Sequence, residues 1–242
     1  MKSFEAVYLT LEPFFPPLWR RVRSELVQFG RSHEGPASIL DVGGRKSHYT
    51  VGVPGRITVT DICRRSGVQR DLNLGLNGAI ARQMRQRRSN LRWVVFDDMT
   101  RSSFRSSTFD CVVAVEVLEH VERDADFVRE VQRVLKPGGI FLMTTPNGDF
   151  VRNTNPDHKR HYRREELEAL LRRSFEDVEL EYAIAGGRFR RWALKSWSLK
   201  RPLRTFKSMM GNLVNSWQSG RANVKTRSHG THHIIARARK AG

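Results

Sequence analysis

Cysteine is almost absent from the 242 residues: Cys63 and Cys111 stand far apart, each in a strand-like stretch. A disulfide framework is therefore excluded, and buried reduced thiols in a cytoplasmic protein are expected. No run approaches eighteen consecutive apolar residues, so no membrane-spanning helix is expected. The opening stretch MKSFEAVYLTLEPFFPPLW has neither an uninterrupted apolar core nor a small-residue cleavage site, and no signal peptide is read there. No internal repeat is visible. Acidic residues are missing from one region only: Tyr182 to Gly242 holds fourteen Lys or Arg and no Asp or Glu. The net charge of +18 thus comes mainly from the last quarter, a segment suited to phosphate-bearing partners.

The composition is otherwise that of a globular chain, 39% hydrophobic with thirteen Phe and five Trp. Leu18, Val22, Leu26 and Phe29 are spaced as on a helix that ends at Gly30. Strands are expected at Ile39–Val42, Arg56–Asp61, Leu91–Phe96, Phe109–Val115, Gly139–Thr145, Val178–Ile184 and His232–Ala238. Helices are expected at Ala79–Arg88, Asp124–Leu135 and Arg164–Arg173. Alternation of this kind implies an α/β fold with a mostly parallel sheet covered on both faces. Four regions follow: an N-terminal helical segment (1–36), a core (37–185), a basic insert (186–230), and a last strand and tail (231–242).

The most informative turn is Ser38-Ile-Leu-Asp-Val-Gly-Gly-Arg-Lys. Ligands of parallel sheets bind beyond the carboxyl ends of the strands, where glycine lets them approach the backbone. Asp41, Gly43 and Gly44 close the first strand. Asp61 ends the second and can accept hydrogen bonds from ribose hydroxyls. Asp97 and Asp98 end the third. Acids at three successive strand ends suit a nucleoside with a cationic tail.

The chain resembles the class I S-adenosylmethionine-dependent methyltransferases, in the broad small-molecule branch that includes the quinone-biosynthesis enzymes. The resemblance runs from about Ile39 to Tyr182. Its most specific stretch is STFDCVVAVEVLEHVERDADFVREVQRVLKPGGIFLMTTPN, Ser107 to Asn147, which carries the V-L-E-H-V and L-K-P-G-G signatures at the family separation. It implies a Rossmann-like fold with a seven-stranded sheet and S-adenosyl-L-methionine as cofactor. Carried over by position, Asp41 and Gly43, with Gly44 beside them, meet the amino-acid part of the cofactor. Asp61, with Ile62 next to it, meets the ribose. Asp98, with Met99, faces the adenine, while Asp97 is structural. Glu116 completes the cofactor set. Arg45 departs from the family's Gly-x-Gly-x-Gly. It either crowds the methionine moiety, as in a degenerate non-catalytic member, or reaches the cofactor carboxylate.

His120, His158 and His161 are the candidate catalytic bases, on the expectation that the acceptor is a hydroxyl of a sugar, a lipid-linked glycan or another small metabolite. If a helix begins near Glu116, then Glu119 and His120 share its face. Glu116, Glu119, His120 and His158 also resemble the divalent-metal set of small-RNA 2′-O-methyltransferases, which makes a metal-dependent RNA enzyme the alternative. In the insert, Leu203, Phe206, Met210, Leu213 and Trp217 form a helical stripe after Pro202. Residues 188–217 then read either as a lid packed over the site or as a basic amphipathic segment that binds an anionic membrane surface; nucleic acid is the weaker partner.

Overall fold

A computed structural model of the chain describes residues 2–46, 48–62 and 76–242. Its centre is a seven-stranded sheet of β1 (Ser38–Val42), β2 (Arg56–Asp61), β3 (Leu91–Phe96), β4 (Phe109–Val115), β5 (Leu135–Pro146), β6 (Asp177–Ala185) and β7 (Thr231–Arg239). The order is β3-β2-β1-β4-β5-β7-β6, and β7 runs antiparallel to both of its neighbours. Around it lie α1 (Ser3–Leu11), α2 (Pro17–Ser32), α3 (Gly78–Arg87), α4 (Asp124–Val134) and α5 (Arg164–Arg172). The region between β6 and β7 folds as three helices: α6 (Arg188–Ala193), α7 (Pro202–Ser219) and α8 (Ala222–Thr226).

The central strands are apolar on both sides because both sides are covered. In β1 and β4, Leu40, Val42, Val112 and Ala114 enter one core with Phe127 of α4 and Leu171 of α5. The alternate residues Ile39, Cys111 and Val113 enter a second core with Leu18, Val22 and Leu26 of α2. Cys111 is a free, fully buried thiol, and burial pushes its pKa up. Cys63 lies outside the described residues.

Two boundaries differ from expectation by more than one residue. Gly30 does not end α2, which runs on to Ser32. The glycine is needed there because a Cβ would lie 2.1 Å from the Pro54 carbonyl oxygen. Likewise β5 begins at Leu135, before the Lys136-Pro-Gly-Gly139 turn that was expected to precede it. The pairing with β4 shifts register between Phe109 and Cys111, so the glycines lie in an irregular start to the strand.

Strand order reverses between β1 and β4, which pair through Ile39↔Cys111 to Val42↔Ala114. The crevice beyond the carboxyl ends of these two strands is where such a sheet accepts a ligand.

Candidate active site

The chain after β1 turns sharply because Gly43 sits at φ +69, in the left-handed region that favours glycine. Its N–H donates to the Thr60 carbonyl at 2.8 Å, which ties the turn to the end of β2. A Cβ on Gly43 would lie 2.8 Å from Val117 Cγ2, and one on Gly44 would lie 2.5 Å from the Asp41 carboxyl carbon. Both glycines are therefore required by space. Arg45, in the short helical turn Gly44–Lys46, has no positive φ, so the third glycine of the usual pattern is not needed there.

Asp41 is fully buried under this turn and does not line the cavity above it. Its carboxylate accepts hydrogen bonds from Tyr49 Oη and Thr50 Oγ1, each at 2.9 Å. Arg88, also buried, donates to Thr50 Oγ1 and interacts electrostatically with Asp41. Asp41 thus shapes the loop that carries Gly43 rather than facing a ligand directly. Tyr49 and Trp19 form part of the cavity wall, and neither stood in a recognisable motif.

The cavity has a volume of about 960 Å³. Gly43, Arg45, Asp61, Ile62, Asp98 and Glu116 all line it, together with His120. Asp61 ends β2, and its Oδ1 accepts from the Ile62 N–H at 2.8 Å; the Ile62 side chain is exposed to the cavity. Asp98 Oδ1 accepts from the Thr100 N–H and hydroxyl at 2.9 and 2.8 Å. Partial burial alone would raise the Asp98 pKa. The Thr100 bonds and the charges of Arg101 and Arg123 outweigh it and hold the group ionised, below its ordinary value. Met99 is packed in the core and does not line the cavity. Asp97 is structural, as expected, and binds Ser102 and Ser103.

No helix begins at Glu116. The residue has φ +56, and only a short 3₁₀ turn, Leu118–His120, follows. Glu116 and Glu119 are consequently directed to different partners. Glu116 accepts from Thr144 Oγ1 at 3.3 Å and faces His233 Nε2 at 3.4 Å. Burial would raise its carboxyl, but His233 and Thr144 prevail and keep it below the usual range. Glu119 is fully buried, accepts from Thr145 Oγ1 at 3.3 Å, and its other oxygen has no hydrogen-bond partner among the described residues. Burial and the neighbouring Glu116 charge drive its pKa well up, so the two acids are pushed apart, Glu116 toward the carboxylate and Glu119 toward the protonated form.

Two of the imidazoles are hydrogen-bonded to each other. His161 Nδ1 lies 2.9 Å from the Val151 carbonyl oxygen, which can only accept, so Nδ1 carries the hydrogen. His161 Nε2 then accepts from His158 Nδ1 at 2.8 Å, leaving His158 Nε2 with its lone pair. His120 Nδ1 donates to the Asp157 carbonyl at 3.0 Å, so its Nε2 also keeps a lone pair when the ring is neutral. Burial, with His120 and His161 nearby, holds the His158 pKa below its ordinary value. His120 is on the cavity wall, whereas His158 and His161 stand behind it; the rings of His120 and His158 meet edge to face at 4.6 Å. Of the four residues expected as metal ligands, Glu119, His120 and His158 bring donor atoms within 4.8 Å of one another. Glu116 is not part of that group.

Two further residues that interact with Glu116 come from distant sequence. His233 belongs to β7, and Arg190 of α6 interacts with Glu116. His232, between Arg190 and His233 and half-buried, is pushed down to about 4 and so is neutral. Only tertiary pairing brings these groups together, so no local sequence signal marks them.

Residues 41–143 match the model of a methyltransferase domain. A probable S-adenosylmethionine-dependent methyltransferase of Mycolicibacterium smegmatis is 42% identical over 78 residues, 30% of each chain. A ubiquinone/menaquinone biosynthesis C-methyltransferase of Pseudomonas savastanoi is 29% identical over 147 residues, 57% of this chain and 50% of that one. The chain therefore spans half or less of the length of these curated relatives. Among solved structures, a phosphoethanolamine N-methyltransferase of Haemonchus contortus, in complex with phosphomonomethylethanolamine and S-adenosylhomocysteine, superposes with a TM-score of 0.59 at 17% identity. It covers 94% of this chain and 54% of its own.

Proposed function

We propose that the chain, whose residues 41–143 match a methyltransferase domain, is a class I S-adenosylmethionine-dependent methyltransferase that methylates a hydroxyl group of a small or lipid-linked acceptor such as a sugar or glycan, with His120 as the general base. The observation that carries this reading is His120 itself: a cavity-wall imidazole whose Nδ1 is fixed by the Asp157 carbonyl and whose Nε2 is left to accept a proton.

The residues present fit the cofactor. The cavity is large enough for a nucleoside with an amino-acid tail. Asp61 and Asp98 end adjacent strands where ribose hydroxyls and an exocyclic amine need acceptors, and Ile62 offers an apolar face between them. Arg45 lines the cavity without closing it, in position to meet a carboxylate. When bound, S-adenosyl-L-methionine supplies an electrophilic methyl group on a sulfonium. His120 holds the acceptor hydroxyl by a hydrogen bond to Nε2 and takes its proton as the oxygen–methyl bond forms. Positioning is the larger part of the task, since the cofactor brings the reactive group.

The cluster of Glu119, His120 and His158 favours a second reading, in which a divalent cation lowers the pKa of the acceptor hydroxyl. One carboxylate and two imidazoles suit Zn²⁺ or Mn²⁺ better than Mg²⁺.

The test is a methyl-transfer screen over hydroxyl, amine and carbon acceptors, followed by His120→Gln. Turnover on a hydroxyl acceptor that falls by about 10²–10⁴-fold in the variant, with cofactor affinity unchanged, supports the proposal. Turnover only on amines or carbon acids, or full activity in the variant, refutes it.

A further inference from the structure

Helix α7 is amphipathic in the inverted sense. The side facing the protein is small and polar: Ser208, Gly211, Asn212 and Asn215 are buried. Gly211 packs so closely on α6 that a Cβ would lie 2.9 Å from the Ala193 nitrogen and 3.0 Å from the Phe189 carbonyl oxygen. Ser208 Oγ donates toward the carbonyls of Ala193 and Lys195 at 3.0 and 2.8 Å, and Asn215 donates to the Ala185 carbonyl at 2.8 Å. These contacts fix the rotation of the helix about its axis. The outer side is therefore the apolar one. Leu203 is 86% exposed, Phe206 63% and Trp217 66%, with Leu213 beside them. Leu199, in the loop that leads into α7, is fully exposed as well. A stripe of this kind turned to solvent costs solubility unless something covers it.

Charge selects the cover. Gly186 to Gly230 holds eleven Lys or Arg and no Asp or Glu. Lys200, Arg201, Lys207 and Arg221 are exposed around the stripe, and among the described residues none has a carboxylate within ion-pair distance. Lys207 lies over the Trp192 ring at 4.3 Å and Arg221 over the Trp217 ring at 4.2 Å, so aromatic and cationic groups share one boundary. Two copies meeting through this face would bring like charges together, which disfavours a self-associated cover. An apolar stripe with Trp at its edge and cations along its flanks suits the boundary between lipid headgroups and acyl chains.

We infer that the outer face of α7 and the loop before it form a peripheral docking surface for an anionic lipid bilayer, with Leu203, Phe206 and Trp217 entering the headgroup region. No helix among the described residues is long and apolar enough to cross a membrane, so α7 lies along the surface. Arg190 of α6, the helix on which α7 packs, interacts electrostatically with Glu116 of the cavity. The docking surface and the catalytic wall are thus joined by a single short helix, α6. The inference stands whichever acceptor is methylated.

The experiment is co-sedimentation of the intact chain with vesicles of phosphatidylcholine alone and of phosphatidylcholine mixed with phosphatidylglycerol, at low and high salt. Two variants accompany it: Phe206→Ser with Leu213→Ser and Trp217→Ser, and Lys200→Gln with Arg201→Gln and Lys207→Gln. All six positions point outward, and unchanged circular dichroism and cofactor affinity verify the fold. Binding is expected on the mixed vesicles only, and it should weaken as salt rises. Each cation removed should lower partitioning about fivefold, so about a hundredfold for the three. The apolar variant should also lose binding. If the intact chain does not sediment with mixed vesicles at low salt, or if the variants sediment as well as it does, the inference is wrong. A dimer in solution that the apolar variant dissolves would assign the face to a second copy instead, and salt-sensitive binding to RNA without vesicle binding would assign it to nucleic acid.

Discussion

The paired acids at the end of β4 give a perturbation whose sign can be worked through. Glu119 is fully buried with one oxygen that has no hydrogen-bond partner among the described residues, while His233 helps to hold Glu116 below the usual carboxylate range. Burial first, and then the Glu116 charge, raises the Glu119 pKa well above that of the unfolded chain. A folded state that keeps a proton the unfolded state has released loses stability as pH rises. That loss begins at the ordinary carboxylate range and ends once pH has passed the raised folded value. Its slope is at most about 1.4 kcal/mol per pH unit for one proton. Glu119→Gln replaces the protonated acid by an amide of the same shape and abolishes the decline. Below the carboxylate range the variant and the wild type should be about equally stable. At alkaline pH the variant should be more stable, by the order of 1–3 kcal/mol that an uncompensated buried polar group costs. Urea unfolding midpoints for both proteins between acid and mildly alkaline pH measure this, with the denaturant slope unchanged. A difference that does not vary with pH, or a variant that becomes the less stable one at alkaline pH, would refute the assignment of the proton to Glu119.

Gly43→Ala should cost about 1–2 kcal/mol, because the turn requires φ +69 and a Cβ would meet Val117; an unchanged urea midpoint would show that the turn after β1 has another conformation. If a cation binds at Glu119, His120 and His158, then Zn²⁺ or Mn²⁺ should raise the melting temperature of the wild type but not of Glu119→Gln, and chelation should abolish turnover. Full activity in excess chelator, with no metal found by elemental analysis, would return the cluster to positioning alone.

Much of the frame was legible because it is local. The strands read as apolar runs bounded by turn residues, and the β4–α4–β5 stretch carries two signatures at fixed separation. Glycine at 43 and acids at 61 and 98 were visible for the same reason: each stands at the end of a strand whose hydrophobic run announces it. The remainder depended on long-range geometry. Asp41 is a plausible ligand contact on paper, yet Tyr49, Thr50 and Arg88 enclose it. The spacing of Glu116, Glu119 and His120 suggested one helical face, but the left-handed backbone at Glu116 sends the two carboxylates to different partners. The stripe on α7 was visible as a pattern, whereas its direction was not. A period of 3.6 finds an apolar face but does not say whether that face or the opposite one is buried, and here Gly211, Ser208 and Asn215 decide it. His233 reaches Glu116 only because β7 pairs with β5, and Arg190 interacts with it from α6, far along the chain.

The central claim, that the cavity beyond β1, β2 and β3 is an S-adenosylmethionine site, is tested most directly by titration calorimetry of S-adenosyl-L-methionine into the intact chain and into Asp61→Ala. One site per chain is expected in the wild type. Loss of the Asp61 carboxylate should weaken binding by about 1–3 kcal/mol, a factor of roughly 5 to 150. No heat of binding in the wild type, or equal affinity in the two proteins, would contradict the account.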